Sequence, residues 1–164
     1  MSRLDSAIRR LVAQRDCLAA AARLVGDREG VVLELGLGNG RTFDHLRELL
    51  PGREIFVFER QVAAHPDCIP DDDHLFGGDI LDSLPAAAAR LGRAAILVHS
   101  DIGTGVEADN ARLAAAISGP LDALLADGAV IVSDQALTLP GWTALELPEG
   151  TPPDRYHMYR ADRA

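Results

Sequence analysis

Gly36, Gly38 and Gly40 stand at every second position in VVLELGLGNGRT, residues 31–42, behind an apolar run that carries one acid, Glu34. Glycines at such a turn take backbone angles closed to other residues and let a ligand approach the main chain. In open α/β sheets, ligands sit at the carboxyl ends of the strands, and a strand–glycine turn–helix sequence forms the floor of that crevice. The chemistry on offer is the holding of a nucleotide-like cofactor. The dinucleotide pattern G-x-G-x-x-G is not met, because Arg41 occupies the place of its last glycine, which would let helix and strand close around a pyrophosphate. Glu34, two residues before the first glycine, suits a ligand that carries a cation and repels a diphosphate.

Four further groups stand where a crevice would need them. Glu59 ends the run EIFVFER, and its two oxygens can accept from a pair of hydroxyls. Asp79, in GGDIL ahead of Ile80, can accept from an exocyclic amine or cap a helix. His99 and Asp101 end AAILVHSD. His99 reads either as a base near neutral pH or as a histidine bonded to backbone at a strand end. Asp134 and Gln135 end GAVIVSDQ.

These groups must be carried by elements. Residues 3–25 form an amphipathic helix ending near Gly26. Short apolar strands follow at 31–35, 54–58, 75–78, 94–98 and 129–132, which reads as a parallel sheet covered on both faces. Helices are expected at 42–50, at 83–91 with Ser83 as cap and Pro85 in the first turn, and at 107–117, broken at Gly119-Pro120 and resumed over 121–126. Residues 61–73, with an Asp71-Asp72-Asp73 run, read as a solvated loop. Alternation over 143–147 and 156–160 predicts a closing antiparallel hairpin. The fold class is therefore α/β, a three-layer sandwich around a mostly parallel, seven-stranded Rossmann-like sheet. One domain over 1–164 is expected, with an N-terminal helix (1–27), a cofactor-binding core (30–134) and a C-terminal hairpin (135–164).

At ELGLGNG, Glu34 to Gly40, the chain resembles the class I (Rossmann-like) S-adenosylmethionine-dependent methyltransferases, and the likeness runs over roughly residues 30–160. The resemblance implies S-adenosyl-L-methionine as cofactor. It implies Glu59 on the ribose hydroxyls, Asp79 on the adenine amine and Ile80 against the ring. It places Glu34 near the methionine amino end, with Gly36, Gly38, Gly40 and His99 among the cofactor contacts. Arg60 departs from the family's apolar residue beside adenine and either stacks its guanidinium plane or points to water. His99 and Asp101 are the catalytic candidates. Asp101 with Asp134 and Gln135 also resembles the magnesium site of catechol-type O-methyltransferases, but Gln135 replaces an asparagine and the catalytic lysine is missing. No metal residue is assigned, and the metal question stays open at this point. There is no D-P-P-Y or N-P-P-Y sequence of the amino methyltransferases and no Pro-Cys pair of the cytosine-C5 type.

Composition narrows the classes. Lysine is absent, which excludes Schiff-base lysine enzymes and P-loop NTPases. A net charge of −9 speaks against nonspecific nucleic-acid binding. No apolar run spans a membrane, and the charged N-terminus lacks a signal peptide, so a cytoplasmic protein is expected. With no paired spacing, Cys17 reads as a small core residue of the first helix and Cys68 as a free loop thiol. Little sequence follows the fifth strand, so the acceptor is expected to be a small molecule, with the N-terminal helix or a second copy in a homo-oligomer walling the pocket. Trp142 is expected in the core. Tyr156 and Tyr159 are expected on the last strand; all three aromatics could instead line the pocket, and Arg155 or His157 could meet an anionic acceptor. The leading function is a methyltransferase with an unidentified acceptor. The alternative is a non-catalytic protein of the same fold that binds S-adenosylmethionine or S-adenosylhomocysteine.

Overall fold

In the computed structural model, residues 2–137 and 139–162 are described, so the extreme ends of the expected 1–27 and 135–164 segments, and Thr138, lie outside them. Helix α1 runs over Arg3–Val25, opened by Ser2 and Asp5 in a reciprocal capping box and closed at Gly26. The chain then alternates through β1 (Val31–Leu35), α2 (Arg41–Leu49), β2 (Ile55–Glu59), β3 (Leu75–Gly77), α3 (Ile80–Leu91), β4 (Ala95–Ser100), α4 (Glu107–Asp122) and β5 (Leu125–Ser133). Two short strands, β6 (Trp142–Ala144) and β7 (His157–Ala161), finish it. The seven strands lie in the order β3-β2-β1-β4-β5-β7-β6. The first five are parallel, and β7 is antiparallel to both β5 and β6. The α/β sandwich and its mostly parallel sheet are as the sequence predicts.

The strand period of two sorts side chains into two apolar layers. Val32, Val57, Leu97 and Val132 face α1 and α2, packing on Cys17, Leu18, Phe43 and Leu46. Leu33, Phe56, Val98 and Ile131 face α3 and α4, packing on Leu84, Ile117 and Leu121. Each fully buried leucine contributes about 1.5–3 kcal/mol. Strand order reverses between β1 and β4, and that switch point fixes where the crevice opens.

Five local expectations change. Asp79, not Ser83, caps α3: its Oδ1 accepts from the Leu81 N–H at 2.9 Å, so the helix starts earlier and Pro85 falls inside it. Helix α4 does not break at Gly119-Pro120, because Ile117 and Leu121 on either side are both anchored in the core. Strand β5 begins at Leu125, and its register on β4 jumps from Ala95–Leu125 to Leu97–Val130. Gly128, with φ +67°, sits in that irregularity. The last two strands are offset from 143–147 and 156–160, and Tyr156 sits just ahead of β7. Trp142 is half-buried at the sheet edge, its indole N–H donating to Asp122 Oδ1 at 3.0 Å. Among the described residues, no helix is long and apolar enough to cross a membrane.

Candidate active site

The glycine turn is built into the ends of the strands around it. Gly36 donates its N–H to the Phe58 carbonyl at 2.8 Å and has φ +89°. A Cβ there would fall 2.7 Å from the Asp101 carbonyl oxygen, so only glycine fits. Gly40, with φ +84°, is the N-cap of α2 and lies against Cys68. Gly38 lines the open crevice.

Glu59 lies across this turn. Its Oε2 accepts from the N–H groups of Leu37 at 2.9 Å and Gly38 at 3.2 Å, and its Oε1 from Gln61 at 3.0 Å. Partial burial pushes its carboxyl up, but the backbone donors of Gln61, Leu37, Gly38 and Arg60 outweigh it and hold the group below its ordinary value. Glu59 is therefore ionised at neutral pH.

A cavity of about 440 Å³ extends from Glu59 past Arg60, Asp79 and Ile80 to Thr104. A second, of about 210 Å³, lies beside α1 and is lined by Arg10, Gln14, Asn39, Arg41 and Thr42 among others. The two share Gly36, Gly38, Asp101 and Gly103. Asp101 thus stands at their junction. Its Oδ2 accepts from Arg10 Nη1 at 3.1 Å and from Gln14 Nε2 at 2.5 Å.

The structure brings Gly36, Gly38, Glu59, Arg60, Asp79, Ile80 and Asp101 to one crevice. Glu34 and His99 are corrections: they lie beneath the crevice, not in it. Both are fully buried, with His99 Nδ1 2.7 Å from Glu34 Oε2. The Thr42 hydroxyl donates to the other oxygen of Glu34. His99 Nε2 lies 3.2 Å from the Tyr156 hydroxyl. Burial works against charge on the imidazole, but the Glu34 carboxylate, with help from Asp101 and Asp134, raises its pKa. The ring is bonded at both nitrogens and has no face open to a reactant.

Asp134 stands close enough to the Asp101 carboxylate to feel its charge. Its Oδ2 accepts from Gly103 N–H at 3.2 Å and Gln135 Nε2 at 3.0 Å, and burial raises its pKa. The Asp101 carboxylate is itself held by Arg10 and Gln14. Among the described residues, no group of three acids, histidines or cysteines could hold a metal ion. Trp142, Arg155, His157 and Tyr159 line neither cavity.

Arg10, Gln14 and Thr42 were not legible as site residues. Arg10 and Gln14 carried one usable signal, since four residues apart on a helix puts them on one face. Tyr156 was legible only as a candidate pocket wall, and the structure buries it against His99 instead.

The family model described as S-adenosyl-L-methionine methyltransferase matches residues 1–161. No protein among curated sequences is significantly similar. Among solved structures, the chain is similar to an S-adenosyl-L-methionine methyl transferase from Silicibacter pomeroyi, at 45% identity and TM-score 0.93, over 98% of this chain and 99% of that one. It shares the fold of a protein-(glutamine-N5) methyltransferase from Alicyclobacillus acidocaldarius, at 15% identity and TM-score 0.54, over 92% and 93% of the two chains. It also shares the fold of Aeropyrum pernix fibrillarin with natively bound S-adenosyl-L-methionine, at 20% identity and TM-score 0.51, over 90% and 74%.

Proposed function

The chain belongs to the S-adenosyl-L-methionine methyltransferase family, and we propose that it transfers the cofactor's methyl group to a small-molecule acceptor from the crevice over the glycine turn. One observation carries this reading. Two cavities, of about 440 and 210 Å³, meet at Gly36, Gly38, Asp101 and Gly103, with an ionised glutamate on the larger and two arginines on the smaller. A nucleoside joined through sulfur to an amino acid has this division.

The cofactor supplies an activated methyl on a sulfonium. The chain's own residues bind and orient. Glu59 is suited to accept from the ribose hydroxyls, and Asp79 from the adenine amine with the oxygen its cap leaves over. Ile80 packs on the ring, and Arg60 stacks on it or faces water. Gly36 and Gly38 let the main chain approach, while Gly40 lets α2 start against Cys68. Arg10 and Arg41 suit the amino-acid carboxylate. Asp101 is the ionisable group left at the junction, where it would face the reacting centre and take a proton from a hydroxyl acceptor. His99 and Glu34 act from below, by holding the turn and the strand ends in place.

A small acceptor is favoured because, among the described residues, no large segment is inserted over the site to form a substrate domain. Leu4, Ile8, Leu11 and Val12 form an exposed apolar stripe along α1, which supports a homo-oligomer with this helix at the interface. Free Cys17 and Cys68 suit a cytoplasmic location, which cell fractionation would test.

Calorimetric titration with S-adenosylmethionine, S-adenosylhomocysteine and NAD, on wild type and Glu59→Ala, tests the cofactor site. The first two ligands should bind, NAD should not, and Glu59→Ala should lose at least about tenfold, or 1.4 kcal/mol. Binding without methyl transfer to any of a broad acceptor panel would instead favour a non-catalytic binder.

A further inference from the structure

Asp101 stands where the two cavities meet, and its two carboxylate oxygens are not equivalent. Oδ2 accepts from Gln14 Nε2 at 2.5 Å and from Arg10 Nη1 at 3.1 Å. Oδ1, among the described residues, is reached only by Arg10, at 3.4 Å. A carboxylate accepts and does not donate, so Gln14 presents the NH2 end of its amide here. Arg10 and Gln14 are four residues apart on α1, so one helix face delivers both donors to one oxygen. Both line the smaller cavity and neither lines the larger, which Asp101 also lines. Oδ2 is thus committed to α1, and Oδ1 is the oxygen left for a ligand.

The two donors differ in how firmly they are held. Among the described residues of α1 up to Val12, no side chain is buried; burial begins at Ala13 and Gln14 and continues through Cys17, Leu18 and Ala21. Gln14 is 4% exposed, within the packed part of the helix. Arg10 stands on the overhanging turns with its side chain half in solvent. An exposed arginine gives up little when it leaves a surface ion pair, and the carboxylate of a bound amino acid would draw it away. A buried amide has no water to turn to and stays on its partner. Gln14 is therefore the donor that still orients Asp101 once the smaller cavity is filled.

We propose that Gln14 is a positioning residue, which holds Oδ2 of Asp101 and so turns Oδ1 to the junction of the cavities, where it faces the positive sulfur of the cofactor. This rests on the cofactor reading of the crevice. It makes Gln14 a determinant of selectivity between the two forms of the cofactor. S-adenosylmethionine carries a positive sulfur and S-adenosylhomocysteine a neutral one, and apart from the transferred methyl the two molecules are the same. A carboxylate aimed at that sulfur attracts the first more than the second, the more so where water is excluded. The spent cofactor is thereby displaced in favour of the charged one.

The test is calorimetric titration with S-adenosylmethionine and S-adenosylhomocysteine, read as the ratio of the two dissociation constants. Gln14→Met keeps the length of the buried side chain and removes the donor. It should unfold cooperatively in urea and shrink the preference for S-adenosylmethionine by about fivefold. Asp101→Asn should shrink it at least as much, and the double variant no further than Asp101→Asn, because both changes act through one carboxylate. Glu59→Ala acts at the ribose shared by both ligands, so it should weaken both and leave the ratio unchanged. An unchanged ratio in Gln14→Met, or a further loss in the double variant, would overturn the proposal. So would an equal loss of both ligands in Gln14→Met, which marks a packing role. Gln14→Leu replaces Gln14→Met if the latter does not fold, and failure of both to fold makes Gln14 a core residue and sinks the proposal too. If wild type binds neither ligand, the cofactor reading has failed and the proposal falls with it. If wild type binds both and Gln14→Met keeps the preference, the proposal alone fails.

Discussion

His99 and Glu34 meet 2.7 Å apart, with both side chains fully buried, directly under the turn that lines the crevice. They come from adjacent parallel strands, β4 and β1, at paired register positions. A histidine and a carboxylate at a strand end look like catalytic groups. Here they form a sealed pair, with Thr42 bonded to one end and Tyr156 to the other. Their part is to hold the ends of β1 and β4 together where Gly36 and Asp101 must touch.

Breaking that pair from one side should be costly. His99→Leu leaves the Glu34 carboxylate buried with Thr42 as its remaining side-chain partner. The expected loss is about 3–5 kcal/mol. Urea unfolding of the variant beside wild type measures it. A loss under about 1 kcal/mol would mean that the pair is not ionic or is hydrated.

The same pair predicts a pH dependence. The folded pKa of His99 lies above its ordinary value of 6.5, since the Glu34 carboxylate outweighs burial. The folded state then binds the proton more tightly than the unfolded chain does. The stabilisation is complete below pH 6.5 and is lost as pH rises through the elevated value. Urea midpoints of wild type should therefore fall on the alkaline side of pH 6.5, and the difference from His99→Gln should shrink over the same range. A difference that is flat with pH would refute the charged form.

Asp79 has two jobs that substitution can separate. It caps α3 through Oδ1, and it lines the larger cavity. Asp79→Ala should lose about 0.5–2 kcal/mol of stability as a lost cap, together with S-adenosylmethionine affinity. Asp79→Ser should keep most of the stability while still losing affinity, because serine caps well but has no carboxylate to reach the adenine amine. Thermal unfolding and calorimetry on the two variants decide. Full affinity in Asp79→Ser would leave Asp79 a cap and nothing more.

The α1 stripe predicts an association. Leu4 is 69% exposed and Ile8 50%, with Leu11 and Val12 one turn further on. Light scattering should find an oligomer for wild type and a shift towards monomer for Ile8→Glu, with the fold unchanged by circular dichroism. A wild type that stays monomeric at high concentration would remove the oligomer proposal.

Much of the fold was legible because its signals are local. Apolar runs of strand length, glycine at left-handed positions and the alternation of strand with helix identified the α/β sandwich, the turn at Gly36–Gly40 and the strand ends that carry Glu59, Asp79 and Asp101. The cap of α3 was misplaced because Asp79 and Ser83 are both good caps, and only the packed helix shows which one starts it. What sequence could not decide was the surroundings of polar groups at the strand ends. Glu59 and His99 both read as crevice residues, yet one faces the cavity and the other is sealed. The difference comes from α1 and Tyr156, which cover the β4 end from opposite ends of the chain. The contacts that seal it span 65 residues to Glu34 and 57 to Tyr156. A strand's period says which face a side chain takes. Whether that face meets solvent, a ligand or another buried polar group depends on distant segments that pack there, and only the assembled tertiary structure brings those together.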